Sequence, residues 1–250
     1  MAVAQGEFLG FVDSDDWIEP DMYEFLYHLL KENGADISIC SHYRDKGKKS
    51  VAKYSSGEQF VFTRDEGIRA LVVDRRIRNY VWDKLYKRRL FSGITFPLNR
   101  IFEDIAISYR IFYKAEKIVV REFPKYHYVI RDGSAMQSKY DPLKEHNLFL
   151  SVYEQVYFVL EKGIWDQAPI YVLRRGIRLI DHMSMLRPSS STEGVIKDVL
   201  AKMHEFDDVS CCQLGLSLSL KRYFIFHYMS AYRKTYRFVR LILKSKRHKF

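Results

Sequence analysis

Apolar and polar positions alternate between two regimes along this chain. From Phe8 to Val12 an apolar run of strand length and composition stands between Gly6 and a group of aspartates, which predicts a buried strand over about 7–12. Glu19-Pro20-Asp21 then opens a helix whose stripe is Met22, Phe25, Leu26, Leu29 and Leu30, and Asn33-Gly34 ends it. Asp36 to His42 reads as a second strand, and the polar stretch Arg44 to Ser50 as a hairpin turn. Thr63 and Glu66 have capping-box spacing for a helix running to about Val73. Another helix starts at Phe102-Glu103-Asp104, and strands follow over 117–121 and 126–130. Past Tyr140 the period becomes helical, over about 143–162, 168–186, 193–206 and 216–243, with Pro188-Ser189-Ser190-Ser191 as a linker. The expectation is an α/β region over residues 1–139 and a helical extension over 140–250.

Charge sharpens that division. The chain has 250 residues and a net charge of +10, yet residues 209–250 hold ten Lys/Arg and no acid. The first 208 residues therefore balance, at 31 of each sign. A neutral domain with a cationic tail fits better than a uniformly basic nucleic-acid binder, and no nucleic-acid recognition motif is present. The tail's helical spacing puts Phe224, Tyr228, Tyr232, Tyr236, Val239 and Leu243 on one stripe amid Arg233, Lys234, Arg237, Arg240 and Lys244. Such a helix over 216–250 suits an anionic membrane surface, or else packs on the preceding helices with a solvated basic face. Cys40, Cys211 and Cys212 form neither a disulfide framework nor a spaced zinc site. No secretory leader pattern opens the sequence, so the expected place is the cytoplasm, peripheral at the inner face of the cell membrane.

The chemistry concentrates in acids. Asp13, Asp15 and Asp16 end the first strand within four positions, where like charges repel unless a cation lies among them. Carboxylates at alternate positions suit Mg²⁺ or Mn²⁺, which add substrate phosphates as further ligands. A solvated turn with Asp13 or Asp16 capping the next helix is the plain alternative. An EF-hand loop would need Gly where Ile18 stands. A phosphatase of the haloacid-dehalogenase type would need Thr where Trp17 stands. Glu103-Asp104 at a helix start is held cheaply by the helix dipole and could reach a site at loop ends as a general base, or be ordinary first-turn acids.

Read in order, GEFLGFVDSDDWI, VWDKLYKRRLF, FP, FED and YHYVIRDGS resemble the family-2 glycosyltransferases of bacterial surface-polysaccharide synthesis, through about residue 160. The resemblance implies an α/β, Rossmann-like GT-A domain followed by the helical region. It also implies an inverting, metal-dependent transfer from a nucleoside-diphosphate sugar to a glycan or lipid-linked acceptor. By position it makes Asp15 the metal ligand, with Asp13 its companion near sugar or ribose and Asp16 beside them. Asp104 becomes the catalytic base and Glu103 its neighbour. Trp82, Lys84 and Tyr86 fall near the acceptor side, and Arg131 and Ser134 belong to the late loop over the diphosphate. For Trp82 a place in the core weighs as much as sugar stacking. Asp83 replaces the usual Asn, and Val129 stands where many relatives have Arg. His127 is expected to be structural or exposed.

The family's base-gripping N-terminal sheet, with its P-x-Y-N and D-D-G-S-x-D motifs, has no counterpart before the first strand. That leads to the expectation of an incomplete GT-A domain, inactive or nearly so alone, with a homo-oligomer or a complementing N-terminal chain among its expected partners. A non-catalytic membrane-held interaction fragment and a dehalogenase-like phosphatase are the other readings.

Overall fold

The structure, a computed structural model, describes residues 3–98, 100–131 and 141–247, the last four by backbone alone. It divides into two compact units, Met1–Lys139 and Tyr140–Phe250.

The first unit contains β1 (Phe8–Gly10), β2 (Trp17–Ile18), α1 (Met22–Glu32), β3 (Ile37–Lys46), β4 (Lys49–Lys53) and β5 (Gln59–Thr63). It continues with α2 (Arg64–Val73), β6 (Lys84–Lys87), a 3₁₀ turn (Arg88–Phe91), α3 (Glu103–Tyr113) and β7 (Lys117–Val129). Among the described residues these strands make one sheet in the order β1-β6-β3-β7-β2, with β4 on β3 and β5 on β7. The β3–β7 pair is parallel and the other described pairs are antiparallel.

Strand β1 is shorter than its apolar run. Its pairing with β6 ends at Gly10↔Leu85, and the chain then leaves the sheet toward the aspartates. Gly10 is required there by close approach: a Cβ would stand 2.3 Å from the Tyr23 ring of α1. Helix α1 covers the sheet with Met22, Leu26, Leu29 and Leu30, all buried, each contributing roughly 1.5–3 kcal/mol. It ends at Asn33, and Gly34 turns the chain with φ 58°. The Thr63–Glu66 capping box forms as its spacing predicts.

Two expectations fail for reasons visible in the pairing. Strand β3 runs four residues past His42: its first half is buried on both faces, while its polar end alternates in a hairpin with β4. Where two strands were expected, β7 is continuous. Pro124 has no N–H to donate, and β3 opposite it shifts register between Ile39 and His42, which absorbs the defect.

The second unit is helical: α4 (Pro142–Glu161), α5 (Pro169–Met183), α6 (Ser190–His204), α7 (Cys211–Leu214), α8 (Leu216–His227) and α9 (Met229–Arg247). Phe149, Val156, Val172, Ile177, Val199 and Met203 are buried in its core. Ser189, expected in a linker, caps α6 instead, paired reciprocally with Thr192. The single helix expected over 216–243 breaks at Tyr228, whose backbone (φ −139°, ψ 43°) is not helical. Asp181 of α5 holds both pieces, accepting from Lys221 of α8 at 2.5 Å and from the Tyr232 hydroxyl of α9.

Candidate functional site

Residues 11–16 form a tight loop between β1 and β2, closed by the Asp16 N–H donating to the Asp13 carbonyl at 3.1 Å. Tyr126 of β7 is its anchor. The phenol is fully buried; its oxygen accepts the Asp13 N–H at 3.1 Å, and its hydroxyl donates to Asp16 Oδ2 at 2.8 Å. Asp16 Oδ1 accepts the Val129 N–H at 2.8 Å. Both Asp16 oxygens are thus spent on β7, so the ligand-facing place expected for Asp16 is corrected to a loop lock. The Asp13 and Asp15 side chains remain open to solvent.

The second acidic pair meets this loop. Helix α3 begins after Phe102, an aromatic residue in left-handed backbone (φ 64°, ψ 41°), a strain on the order of 1–3 kcal/mol that sets the angle of entry. Asp13 is raised above the ordinary carboxylate range by partial burial first, then by the charges of Asp16, Asp15 and Glu103. The Glu103 charge, the smallest of these, comes from the start of α3. Asp104 lies deeper and is pushed up to about 6, mainly by burial and further by Glu103. The Ile105 N–H, donating at 2.7 Å, and the Lys84 charge act in the opposite direction. A carboxyl poised near neutrality at a helix N-terminus can take and return a proton.

The VWDKLYK segment is mostly foundation. Trp82 is 6% exposed and stacks on Tyr126 at 4.2 Å and Tyr80 at 4.6 Å between centroids, which gives it the core place. Lys84, expected at the acceptor, is corrected more strongly. It is wholly buried, and its ammonium donates to Arg78 O (3.0 Å), Tyr80 O (2.5 Å) and the Asp83 carboxylate. Its three donors are used, so it acts on the site by holding residues 78–83 and through its charge on Asp104. Tyr86 is buried too; its hydroxyl has no hydrogen-bond partner among the described residues. Burial first, then Asp83 and Asp104, raise its pKa well above the usual phenol.

Arg131 folds back onto the aspartates, donating from Nη2 to the Asp15 carbonyl at 2.8 Å. Ser134 lies outside the described residues. His127 is buried: Trp17 stacks on it at 3.4 Å and Tyr43 at 4.4 Å, and its ring nitrogens meet Asp45 at 2.9 Å and Glu19 at 3.0 Å. It ties β2, β3 and the turn after β2 together beside the loop. Tyr126 and His127 open the YHYVIRDGS stretch, but only the register Trp17↔His127, Ile18↔Tyr126 reveals their role. A separate cleft of about 1040 Å³ runs beside β1 and the 3₁₀ turn, lined by Leu9, Lys87, Arg89, Phe91 and Phe96 among others. Phe11 packs against Phe91 and Phe96, which connects that wall to the start of the aspartate loop.

No three His, Cys, Asp or Glu side chains converge into a metal cage among the described residues. Mg²⁺ and Mn²⁺ ask for less, since one or two carboxylates suffice when water and phosphate oxygens supply the rest. Asp13 and Asp15 fit that requirement. The mutual repulsion that raises Asp13 is what a divalent cation would relieve.

Residues 1–102 match the model of Glycosyl transferase family 2. EpsH of Bacillus subtilis (strain 168) is 32% identical over 158 residues, which cover 60% of this chain and 45% of EpsH. The glycosyltransferase GlyG of Streptococcus pneumoniae serotype 4 is 30% identical over 151 residues, covering 56% of this chain and 50% of GlyG. The chain thus spans about half the length of these curated relatives. Residues 1–349 of S. aureus TarS, crystallised with UDP-GlcNAc, superpose with a TM-score of 0.63 at 21% identity, covering 99% of this chain and 70% of that one. The TarS likeness establishes the fold, a GT-A-type α/β domain with a C-terminal helical region.

Proposed function

We propose, from the match of residues 1–102 to the Glycosyl transferase family 2 model, that the chain moves a sugar from a nucleoside-diphosphate sugar to a hydroxyl of a glycan or lipid-linked acceptor. That match, with the fold, favours this reading over the phosphatase one. In the proposed reaction the bond from the anomeric carbon to the diphosphate breaks as the acceptor oxygen attacks from the opposite face, inverting the centre. Asp104 takes the acceptor proton. With its pKa near 6, it is mostly ionised at neutral pH yet basic enough to accept one. Asp13 and Asp15 would hold Mg²⁺ or Mn²⁺, which when bound supplies positive charge to the leaving diphosphate. Arg131, which donates to the Asp15 carbonyl, would offer its guanidinium fork to phosphate oxygens, which such a fork suits. The Glu103 charge, which adds to the rise of both Asp13 and Asp104, would favour cation uptake. The observation that supports the reading is the aspartate loop pinned to β7 through Asp16 and Tyr126, with Asp13 and Asp15 exposed and Arg131 at its backbone.

The test is calorimetric titration of the purified chain with UDP, with and without MnCl₂, alongside transfer assays over a panel of nucleotide sugars. Binding of UDP that requires Mn²⁺, and its loss in a folded Asp15→Ala variant, are expected; the second result also counts against a non-catalytic fragment. UDP and Mn²⁺ binding that survive Asp15→Ala, or turnover indifferent to Asp104→Asn, would reject the proposal.

A further inference from the structure

Helices α8 and α9 place their polarity the wrong way round for a water-facing surface. On α8, Ser219 is buried while Leu220 is 52% exposed, and Leu216 and Phe224, on the same face at four-residue spacing, are exposed at 75% and 47%. On α9 the face that packs is short. Tyr232 reaches Asp181, and Tyr236 stacks beside it at 6.0 Å. Beyond them the helix continues with Phe238 exposed at 65% and Val239 at 46%. Helical spacing sets these apolar positions on one arc and Arg237 and Arg240 on the opposite one, with Lys234 at the edge of the apolar arc, four residues before Phe238. No acid occurs from residue 209 to 250. Exposed apolar side chains in such a continuous arrangement mark an interaction surface rather than scattered surface residues.

We propose that α8 and the outer part of α9 lie on an anionic lipid surface, the apolar arc entering the headgroup boundary and the basic side chains at its edge and on the polar face drawn to the anionic lipid. Charge decides between occupants. A second copy would bring its own acid-free basic segment against this one, whereas an anionic bilayer is complementary to it. Spanning is not the mode, because no helix among the described residues is long and apolar enough to cross a membrane. The proposal stands on the second unit alone and is read without turnover, so it fails or holds independently of the transfer reaction.

Flotation of the full chain with phosphatidylcholine vesicles, and with vesicles containing about 30 mol% phosphatidylglycerol, tests it. The chain is expected to float with the anionic vesicles and to be released by salt. The triple variant K234Q/R237Q/R240Q is expected to lose partitioning on the order of 100-fold, since each cation near the surface contributes about a fivefold factor. Leu216→Ser with Phe238→Ser is expected to weaken binding at unchanged charge. These side chains are exposed, so circular dichroism and the melting transition should match the parent. Equal flotation on both vesicle types, a triple variant that floats like the parent, or self-association without flotation would each overturn the proposal.

Discussion

Replacing Asp104 by Asn is expected to stabilise the fold at neutral pH while abolishing proton transfer. The Asp104 carboxyl titrates near 6, against 3.8 for an ordinary Asp, because most of it is withdrawn from water. The gap of roughly two units corresponds to about 3 kcal/mol carried by the folded chain once the group is ionised. Its sign follows from proton binding. Between pH 3.8 and 6 the folded chain holds a proton that the unfolded chain has lost, so stability falls as pH rises through that window, and above it the full penalty applies. An Asn side chain never ionises, and its amide oxygen can still accept the Ile105 N–H now bonded to Oδ1 at 2.7 Å. That hydrogen bond weakens without the charge, which trims the gain. Urea unfolding of parent and variant at pH 4, 6 and 8 should show near parity at pH 4. The variant's advantage should grow to about 1–3 kcal/mol at pH 8. In the parent, turnover that depends on this base should rise with pH through about 6. An advantage of equal size at pH 4 and pH 8, or a loss of stability at pH 8, would refute burial as the cause of the shift.

Lys84→Met should cost about 3–5 kcal/mol in thermal or urea unfolding, because it leaves Asp83 buried without its cation; a residue that served only to touch ligand would leave the melt unchanged. Tyr126→Phe removes the oxygen between the Asp13 N–H and Asp16, and should lower stability by about 1–3 kcal/mol and weaken Mn²⁺ binding measured calorimetrically. Gly10→Ala should cost about 1–3 kcal/mol in urea, since its Cβ meets the Tyr23 ring, and Tyr23→Ala in the same chain should restore most of the loss.

Local signals were legible wherever the physics is local. The stripe of α1, the Asn33-Gly34 stop, the Thr63 capping box and the acid-rich start of α3 each depend on residues within one or two turns, and each forms in the structure. The misses are where a partner distant in sequence decides. β7 survives Pro124 because β3, more than 80 residues earlier, shifts register opposite it. The long terminal helix breaks at Tyr228, where Asp181 holds Lys221 on one side of the break and Tyr232 on the other.

The aspartate cluster shows the same limit at the site itself. Three acids in four positions announce negative charge, but nothing within the loop distinguishes Asp16 from Asp13 and Asp15. The distinction comes from β7: pairing Ile18 with Tyr126 brings that phenol and the Val129 N–H beneath the loop, where they take both oxygens of one carboxylate. With Asp16 so engaged, Asp13 stays beside its charge, which adds to the burial that raises Asp13 most. Lys84 follows the same logic from the other side. A lysine in a ligand-binding motif suggests a contact, yet burial beside Asp83 turns it into the brace of residues 78–83. Around both acidic motifs, then, the groups proposed to meet a ligand are the exposed Asp13, Asp15, Glu103 and Arg131, with the partly buried Asp104 behind them. The buried side chains near them, Tyr126, Lys84 and Trp82, hold them in place. A substitution in the first set should alter binding with little change in melting, and one in the second should alter both, which separates the two by measurement.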